Sequence, residues 1–160
     1  MTPDQRSTLA QIGHPKHLDT LVKDKNWRVR QAVAEHGEDI HKDILTKDKD
    51  HKVRYTVAEH GNDSHRDKLV GDKNDYVRQT VAEYGNDSHR DSLIDDKEPY
   101  VRKAVVAYGN DKHRDKLIDD DDIFVRQAIA SYGSKEHATK LLDDLHFMVR
   151  NAAKYRLDKN

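Results

Sequence analysis

Cysteine is absent from the 160 residues, which excludes a disulfide scaffold, an iron–sulfur cluster and a zinc site with thiolate ligands. Proline occurs only three times and glycine seven times, and no linker rich in either residue divides the chain. No segment approaches the ~18 consecutive apolar residues of a membrane span, and the first residues lack the apolar run of a signal peptide. These absences predict a soluble, cytoplasmic protein that does not bind membranes.

An excess of charge of either sign is also lacking, because 29 lysines and arginines balance 30 aspartates and glutamates. This balance removes any bulk electrostatic attraction to nucleic acid and leaves only a segregated basic face to be considered. Apolar residues make up 34% of the chain, below the ~45–50% of an average domain. A thin fold with much surface and little core fits this composition.

A unit of 24 residues returns along the chain without insertion or deletion. Its most regular marker is a Val-Arg pair, found at residues 29–30, 53–54, 77–78, 101–102, 125–126 and 149–150. A unit of this size cannot bury its own apolar face, so successive units must stack on one another. The period predicts a single repeat domain over residues 1–160.

Each unit predicts a helix, a glycine stop, a short second helix and an acidic turn. In the first full unit Val29, Ala32, Val33 and His36 fall at i, i+3, i+4 and i+7, which predicts an apolar stripe along one side of a helix. Gly37 follows at the position where helices often end in a left-handed conformation. We therefore expect a left-handed glycine after each first helix.

The two ends of the chain are predicted to be capping half-units. Residues 1–13 are expected to form an N-terminal capping helix, residues 14–145 the repeats, and residues 146–160 a C-terminal capping helix. In the last of these, Lys154 and Arg156 replace residues that are small or aromatic in the other units. Polar substitutions of this kind are what a terminal repeat requires.

The pattern resembles two known families of helical repeats. Asp24 and Arg30, with Val29 before the arginine, resemble the HEAT repeat signature. The longer pattern Val-Arg-x-x-Val-Ala, a turn and Leu-x-x-Asp resembles the leucine-rich repeat variant family. This resemblance implies an all-α, right-handed α-solenoid of about six 24-residue helix–turn–short-helix repeats with half-repeat caps. It implies no established activity, and the cysteine-ligated cluster of some relatives cannot form here, so no cofactor is expected.

Two charged columns accompany the repeat. The arginines are Arg30, Arg54, Arg78, Arg102, Arg126 and Arg150, preceded by Arg6 in the N-terminal half-unit, and the aspartates are Asp24, Asp48, Asp72, Asp96, Asp120 and Asp144. Because a planar guanidinium suits a two-point bond with a carboxylate, we predict a structural ladder that ties the repeats together. The alternative is nucleic-acid binding, in which arginines roughly 10 Å apart follow a phosphate backbone.

A histidine also recurs once per unit, at residues 17, 41, 65, 89, 113 and 137. Neighbouring members of this column should lie ~10 Å apart, whereas Zn–N bonds are about 2.0–2.1 Å long. They cannot share an ion, so we predict a packing role with one hydrogen bond and no metal site.

Apolar side chains collect at the starts of the first helices, in columns that change from unit to unit. The candidate partner-binding residues are Trp27, Tyr76, Tyr100, Phe124, Phe147 and Met148. They form either a ridge of aromatic anchors for a partner or extra core over the adjacent turn. No singular catalytic constellation stands outside the repeat. We therefore predict a non-catalytic scaffold that binds another protein along an extended face, as a monomer or with weak self-association.

Overall fold

The computed structural model describes residues 1–159, and every regular element among them is a helix. The chain divides into two compact units, Met1–Tyr84 and Gly85–Asn160. In both units long helices alternate with short ones, and every long helix after the N-terminal one carries the Val-Arg pair. The predicted alternation of a first helix and a short second helix is therefore present in each unit.

The first unit begins with the N-terminal helix and contains three further long helices. In chain order its helices are α1 (Pro3–Ile12), α2 (Pro15–Leu21), α3 (Trp27–His36), α4 (Asp39–Leu45), α5 (His51–His60), α6 (Asp63–Leu69) and α7 (Asp75–Tyr84). Successive long helices pack side by side, α1 on α3, α3 on α5 and α5 on α7. Each short helix packs on the long helices before and after it.

The second unit repeats this arrangement. Its elements are α8 (Asp87–Leu93), α9 (Pro99–Tyr108), α10 (Asp111–Leu117), α11 (Ile123–Tyr132), α12 (Lys135–Lys140), a 3₁₀ turn (Leu141–Asp143) and α13 (Phe147–Asp158). Helix α9 packs on α11, and α11 packs on α13. The terminal helices α1 and α13 lie within the two segments that the sequence predicts to be caps.

The core of each unit is a row of small and β-branched side chains from the long helices. In α3, Val29, Val33 and Ala34 are completely buried, and Ala32 is nearly so. The short helix α4 adds Leu45 to the same row. Because Ala32 and Ala34 have small side chains, neighbouring long helices can approach closely.

The predicted apolar stripe is wrong at its last position. His36 and its equivalents are exposed, and Tyr84, Tyr108 and Tyr132 have 43%, 50% and 57% of their surface accessible. These residues are the last of their helices, beyond the end of the row that neighbouring helices cover. Ala34, and not His36, completes the buried face.

Glycine is needed after the long helices because neighbouring atoms lie too close for a Cβ, and not because the backbone is left-handed. In the described part of the chain only Gly13 has a positive φ, of 74°, whereas Gly37 is extended at φ −77°. A Cβ on Gly61 would lie 2.5 Å from the carbonyl oxygen of Val57 and 3.0 Å from Nδ1 of His65. The prediction of left-handed glycines is therefore wrong, because the extended chain turns directly into a short helix whose histidine fills the space.

This packing predicts the effect of a methyl group at two glycines. Gly61→Ala should destabilise the protein by about 1–3 kcal/mol, the usual cost of overpacking. Gly71→Ala is the control, since a Cβ there meets nothing within 4 Å, and it should change stability by less than about 1 kcal/mol. Urea unfolding of both variants measures the difference, and equal stabilities would contradict the close-approach account.

Candidate interaction surface

Of the arginines that follow the core valines, Arg30, Arg54 and Arg78 are buried, and the others are partly buried. Arg54 donates from Nε and Nη2 to the carboxylate of Asp72, at 2.6 and 2.8 Å, and from Nη1 to the carbonyl oxygen of Asp48, at 2.7 Å. The side chains of Arg54 and Asp72 are only 5% and 7% exposed. One guanidinium thus joins the turn before its own helix to the turn of the next repeat.

The two-point bond recurs in both units. Further pairs are Arg6–Asp24, Arg30–Asp48, Arg102–Asp120 and Arg126–Asp144. In each pair the arginine and the aspartate are 18 residues apart, and both carboxylate oxygens accept a bond. Within each of the two compact units, the ladder therefore connects successive repeats in the same way.

The remaining members of the two columns make the same backbone contacts. Arg78 and Arg150 each donate from Nη1 to a carbonyl oxygen of the preceding turn, that of Asp72 at 2.8 Å and that of Asp144 at 2.6 Å. The carbonyl oxygen of Asp96 accepts such a bond, at 2.7 Å, from the arginine of the following helix. Each of these arginines therefore closes the turn before its own helix.

The arginines alter the acidity of their partners. The hydrogen bond from Arg6 lowers the pKa of Asp24, and burial of the carboxylate acts in the opposite direction. The pKa of Asp144 is lowered in the same way by its hydrogen bond from Arg126. Both carboxylates are therefore stabilised in the charged form that the ladder needs.

These contacts decide what the arginine column can offer to a ligand. In Arg30 and Arg54 the donors Nε, Nη1 and Nη2 all bond to groups of the protein itself. A phosphate that took the two donors now bonded to the carboxylate would leave that buried charge without a partner. The geometry therefore favours the structural interpretation of the ladder over the phosphate-binding one.

The histidines form a second ladder. Nδ1 of His65 accepts the backbone N–H of Asn62 at 3.0 Å, and the side chain of Asn62 accepts the N–H of His65 at 3.2 Å. The other ring nitrogen, Nε2, lies 3.2 Å from both the carbonyl oxygen of Asp39 and the carboxylate of Asp43. Because Nδ1 accepts a bond, the proton of the neutral ring is on Nε2. Each ring thus caps its own helix and reaches the preceding repeat.

The same histidine–aspartate contact recurs elsewhere. Equivalent Nε2–carboxylate distances are 3.0 Å for His41–Asp19, 3.6 Å for His113–Asp91 and 3.3 Å for His137–Asp115. The aspartate partner of each histidine was not predicted, although a constant spacing of 22 residues between the acid and the imidazole marks it in the sequence. In the described residues no group of three or more histidine, aspartate or glutamate side chains is arranged to hold a metal ion.

A third column of basic residues caps the ends of the long helices and was also missed. Nε of Arg66 donates to the carbonyl oxygen of Ala58 at 2.9 Å. In the last repeat Ala138 occupies the position of Arg66, and Arg156 of helix α13 donates instead to the carbonyl oxygen of Gly133, at 3.1 Å. The C-terminal helix thus supplies a cap that its neighbour lacks.

Five aromatic side chains line two shallow grooves, one in each compact unit. The Trp27 groove, of about 310 Å³, lies on α3, α5 and α7 and is lined by Trp27, Gln31, His51, Lys52, Tyr55 and Tyr76. Lys52 Nζ and Arg28 Cζ lie 4.5 and 4.9 Å from the centre of the Trp27 ring. The predicted candidates Trp27 and Tyr76 thus share one site, to which Tyr55 is an unpredicted addition.

The second groove lies at the same repeat position on α9 and α11. The Phe124 groove, of about 340 Å³, is lined by Pro99, Tyr100, Lys103, Asp122 and Phe124. It therefore brings together the predicted candidates Tyr100 and Phe124. Phe147, which is exposed and stacks on His146 with ring centres 5.1 Å apart, and the half-buried Met148 line neither groove.

The described helices include none that is both long and apolar enough to cross a lipid bilayer. No protein-family model and no curated protein matches the chain. Among solved structures, the chain is similar to a leucine-rich repeat variant with a novel repetitive structural motif. The TM-score is 0.80 at 26% identity, over 90% of this chain and 62% of that one.

Two further similar structures are of designed armadillo repeat proteins. One is in complex with the peptide (KR)4, with a TM-score of 0.36 at 16% identity, over 98% of this chain and 90% of that one. The other is described as computationally designed for modular peptide recognition, with a TM-score of 0.34 at 19% identity, over 96% and 90%.

The chain is thus an all-α helical-repeat protein of the α-solenoid class. More particularly, it has the fold of the leucine-rich repeat variant, and the resemblance predicted from the Val-Arg and Leu-x-x-Asp pattern is confirmed. The chain spans about 62% of the length of that variant structure.

The ladder geometry predicts how single and double substitutions combine. Arg54→Ala leaves Asp72 buried without its main partner and should cost about 3–5 kcal/mol of stability. The double variant Arg54→Ala, Asp72→Ala should cost clearly less than the sum of the two single changes. Urea unfolding tests this with Arg28→Ala, an exposed arginine outside the ladder, as control. An Arg54→Ala variant as stable as the control would contradict the structural role.

The lowered pKa values of Asp24 and Asp144 predict how stability depends on pH. A carboxyl group whose pKa is lower in the folded state stabilises the protein above its unfolded value, about 3.9, and this contribution disappears as pH falls through the folded value. The free energy of unfolding should therefore drop steeply below about pH 4. Asp144→Asn should make the drop shallower, whereas Asp158→Asn, at an exposed position, should not. An identical slope in wild type and Asp144→Asn would contradict the assignment.

Proposed function

We propose that this chain is a non-catalytic repeat scaffold that binds a segment of another protein across the exposed side of its long helices. The observation that carries the proposal is the pair of grooves at one repeat position, each with aromatic side chains. Tyr76 and Phe124 keep 59% and 51% of their surface accessible, so much of both rings can still be buried by a partner. Rings held on rigid helices are effective anchors, because they bury a large area at a small cost in conformational entropy.

The variation of the groove positions supports the proposal. Every long helix from α3 to α11 has valine at the first core position, whereas the position just before it changes from Arg28 and Lys52 to Tyr76, Tyr100 and Phe124. Packing between repeats does not require this change, because these side chains lie wholly or partly at the surface. A binding role gives a reason for different chemistry at this position in successive repeats.

The shape of the grooves supports a polypeptide as the ligand. Both are shallow depressions on the surface of adjacent helices, with room for one or two side chains and not for a fully enclosed small molecule. The regular polar columns are occupied with structural bonds, in the way that Arg54 and His65 illustrate. This use of the polar residues supports the interpretation as a scaffold and not as an enzyme.

The alternative, nucleic-acid binding through the arginine ladder, lacks comparable support. Its proposed phosphate ligands would need the guanidinium groups of residues such as Arg30, whose side chain is 6% exposed and bonded to Asp48. Phosphate-binding arginines must present donors to the solvent. The aromatic grooves are therefore the better basis for a function.

Selection from a displayed library of random peptides tests the proposal. Peptides selected on the wild type should bind about tenfold more weakly to the Tyr76→Ala variant or to the double variant Tyr100→Ala, Phe124→Ala. This is the loss expected when a moderate hot spot is removed. Phe147→Ala is the matched control, because this exposed ring lies outside both grooves. The absence of enriched peptides, or an equal loss in the Phe147→Ala control, would contradict binding through the grooves.

A further inference from the structure

We propose that the Trp27 groove accepts an acidic segment of the partner polypeptide; this inference rests on the proposed function and specifies its ligand. The groove has cationic groups at its edge. Lys52 and Arg28 are exposed, and both lie over the Trp27 ring. Two positive charges therefore lie beside the groove. His51 completes this part of the lining.

Lysines extend the positive charge along the edge of the same unit. One exposed lysine stands two residues before the start of each of the helices α3, α5 and α7, and these lysines are Lys25, Lys49 and Lys73. The adjacent aspartates Asp24, Asp48 and Asp72 are bonded to arginines of the ladder. The other acids at this edge, Asp50 and Asp75, accept N–H bonds at the starts of α5 and α7. Positive charges therefore exceed negative ones where a ligand would enter.

The far end of the same surface carries the opposite charge, which sets the direction of the ligand. Glu59 and Glu83 lie on the last turns of α5 and α7, and the hydroxyl of Tyr84 donates to Glu59 at 3.2 Å. The charge of Glu59 raises the pKa of Tyr84. An acidic segment would be repelled at this end, so it should follow the helix starts, across the helices, with one apolar side chain placed between Tyr55 and Tyr76.

The Phe124 groove provides an internal contrast. The column of the three lysines continues with Lys97 before α9, but Asp121 takes this place before α11, and Asp122 lines the groove itself. Lys103 is the basic residue of that lining. The two grooves thus share aromatic chemistry but differ in the charge around them, and an acidic ligand should choose the first.

The cations over Trp27 also favour a peptide over single-stranded nucleic acid. Binding of single strands depends on aromatic faces that are open for bases to stack on. In this groove Lys52 and Arg28 lie over the one tryptophan of the chain. A carboxylate can bond to these cations while they stay in place, whereas a stacked base would have to displace them.

The experiment uses this single tryptophan as a site-specific probe. Peptides are first selected on the Tyr100→Ala, Phe124→Ala variant, which retains the Trp27 groove, and their binding is followed by tryptophan fluorescence. The selected sequences should be rich in aspartate and glutamate, and their affinity should fall several-fold when salt is raised from about 50 to 500 mM. The same peptides with lysine in place of each acid should not change the emission.

Charge reversal provides the matched variants. Lys52→Glu should weaken the acidic peptide about fivefold, the upper range for one exposed ion pair, and Lys49→Glu should act in the same direction. Lys103→Glu, in the other groove, should have no effect, and circular dichroism should show that all three variants stay folded.

Three results would overturn the inference: an equal effect of Lys103→Glu, selected peptides without acidic residues, or tighter binding of oligothymidylate. Selected neutral peptides that still need Tyr76 would leave the proposed function standing, whereas no selected peptides at all would contradict both.

Discussion

The two-point bond between an arginine of one repeat and an aspartate 18 residues later is the interaction on which the rest of the structure depends. Each repeat is too small to hold a core of its own, so its valines become buried only when the next repeat is stacked in register. The Arg54–Asp72 bond fixes that register, because the planar guanidinium matches the carboxylate in one orientation only. A third donor of Arg54 binds the carbonyl oxygen of Asp48, so one side chain positions both the turn before its own helix and the turn of the next repeat.

Within each compact unit, the histidine ladder connects the other side of successive repeats. His65 caps its own short helix and contacts Asp43 of the previous repeat, which ties the short helices as the arginines tie the turns. With both sides of the repeat held by internal bonds, the regular polar residues have structural partners. The exposed positions at the starts of the long helices are then left to vary, and the two aromatic grooves lie there.

The sequence predicts most of the fold because a fixed period makes each structural demand visible six times. The helix order and the pairing of arginine with aspartate follow from elementary rules applied to one repeat. The extended Gly37 does not, since it depends on how closely the short helix approaches the long one. The solvent exposure of Tyr84 does not either, since it depends on where the row covered by neighbouring helices ends. The grooves were predicted only in part: the column with Tyr76 and Phe124 was visible, whereas Tyr55 enters through packing between α5 and α7.

Hydrogen exchange on the free protein and on its complex with a selected acidic peptide tests the central claim most directly, namely that buried columns hold the repeats together while the helix starts bind. The account predicts slow exchange in α3 and α5 without ligand, and additional protection on binding at the starts of α3, α5 and α7. Additional protection confined to the short helices, or fast exchange around Arg54 in the free protein, would contradict it.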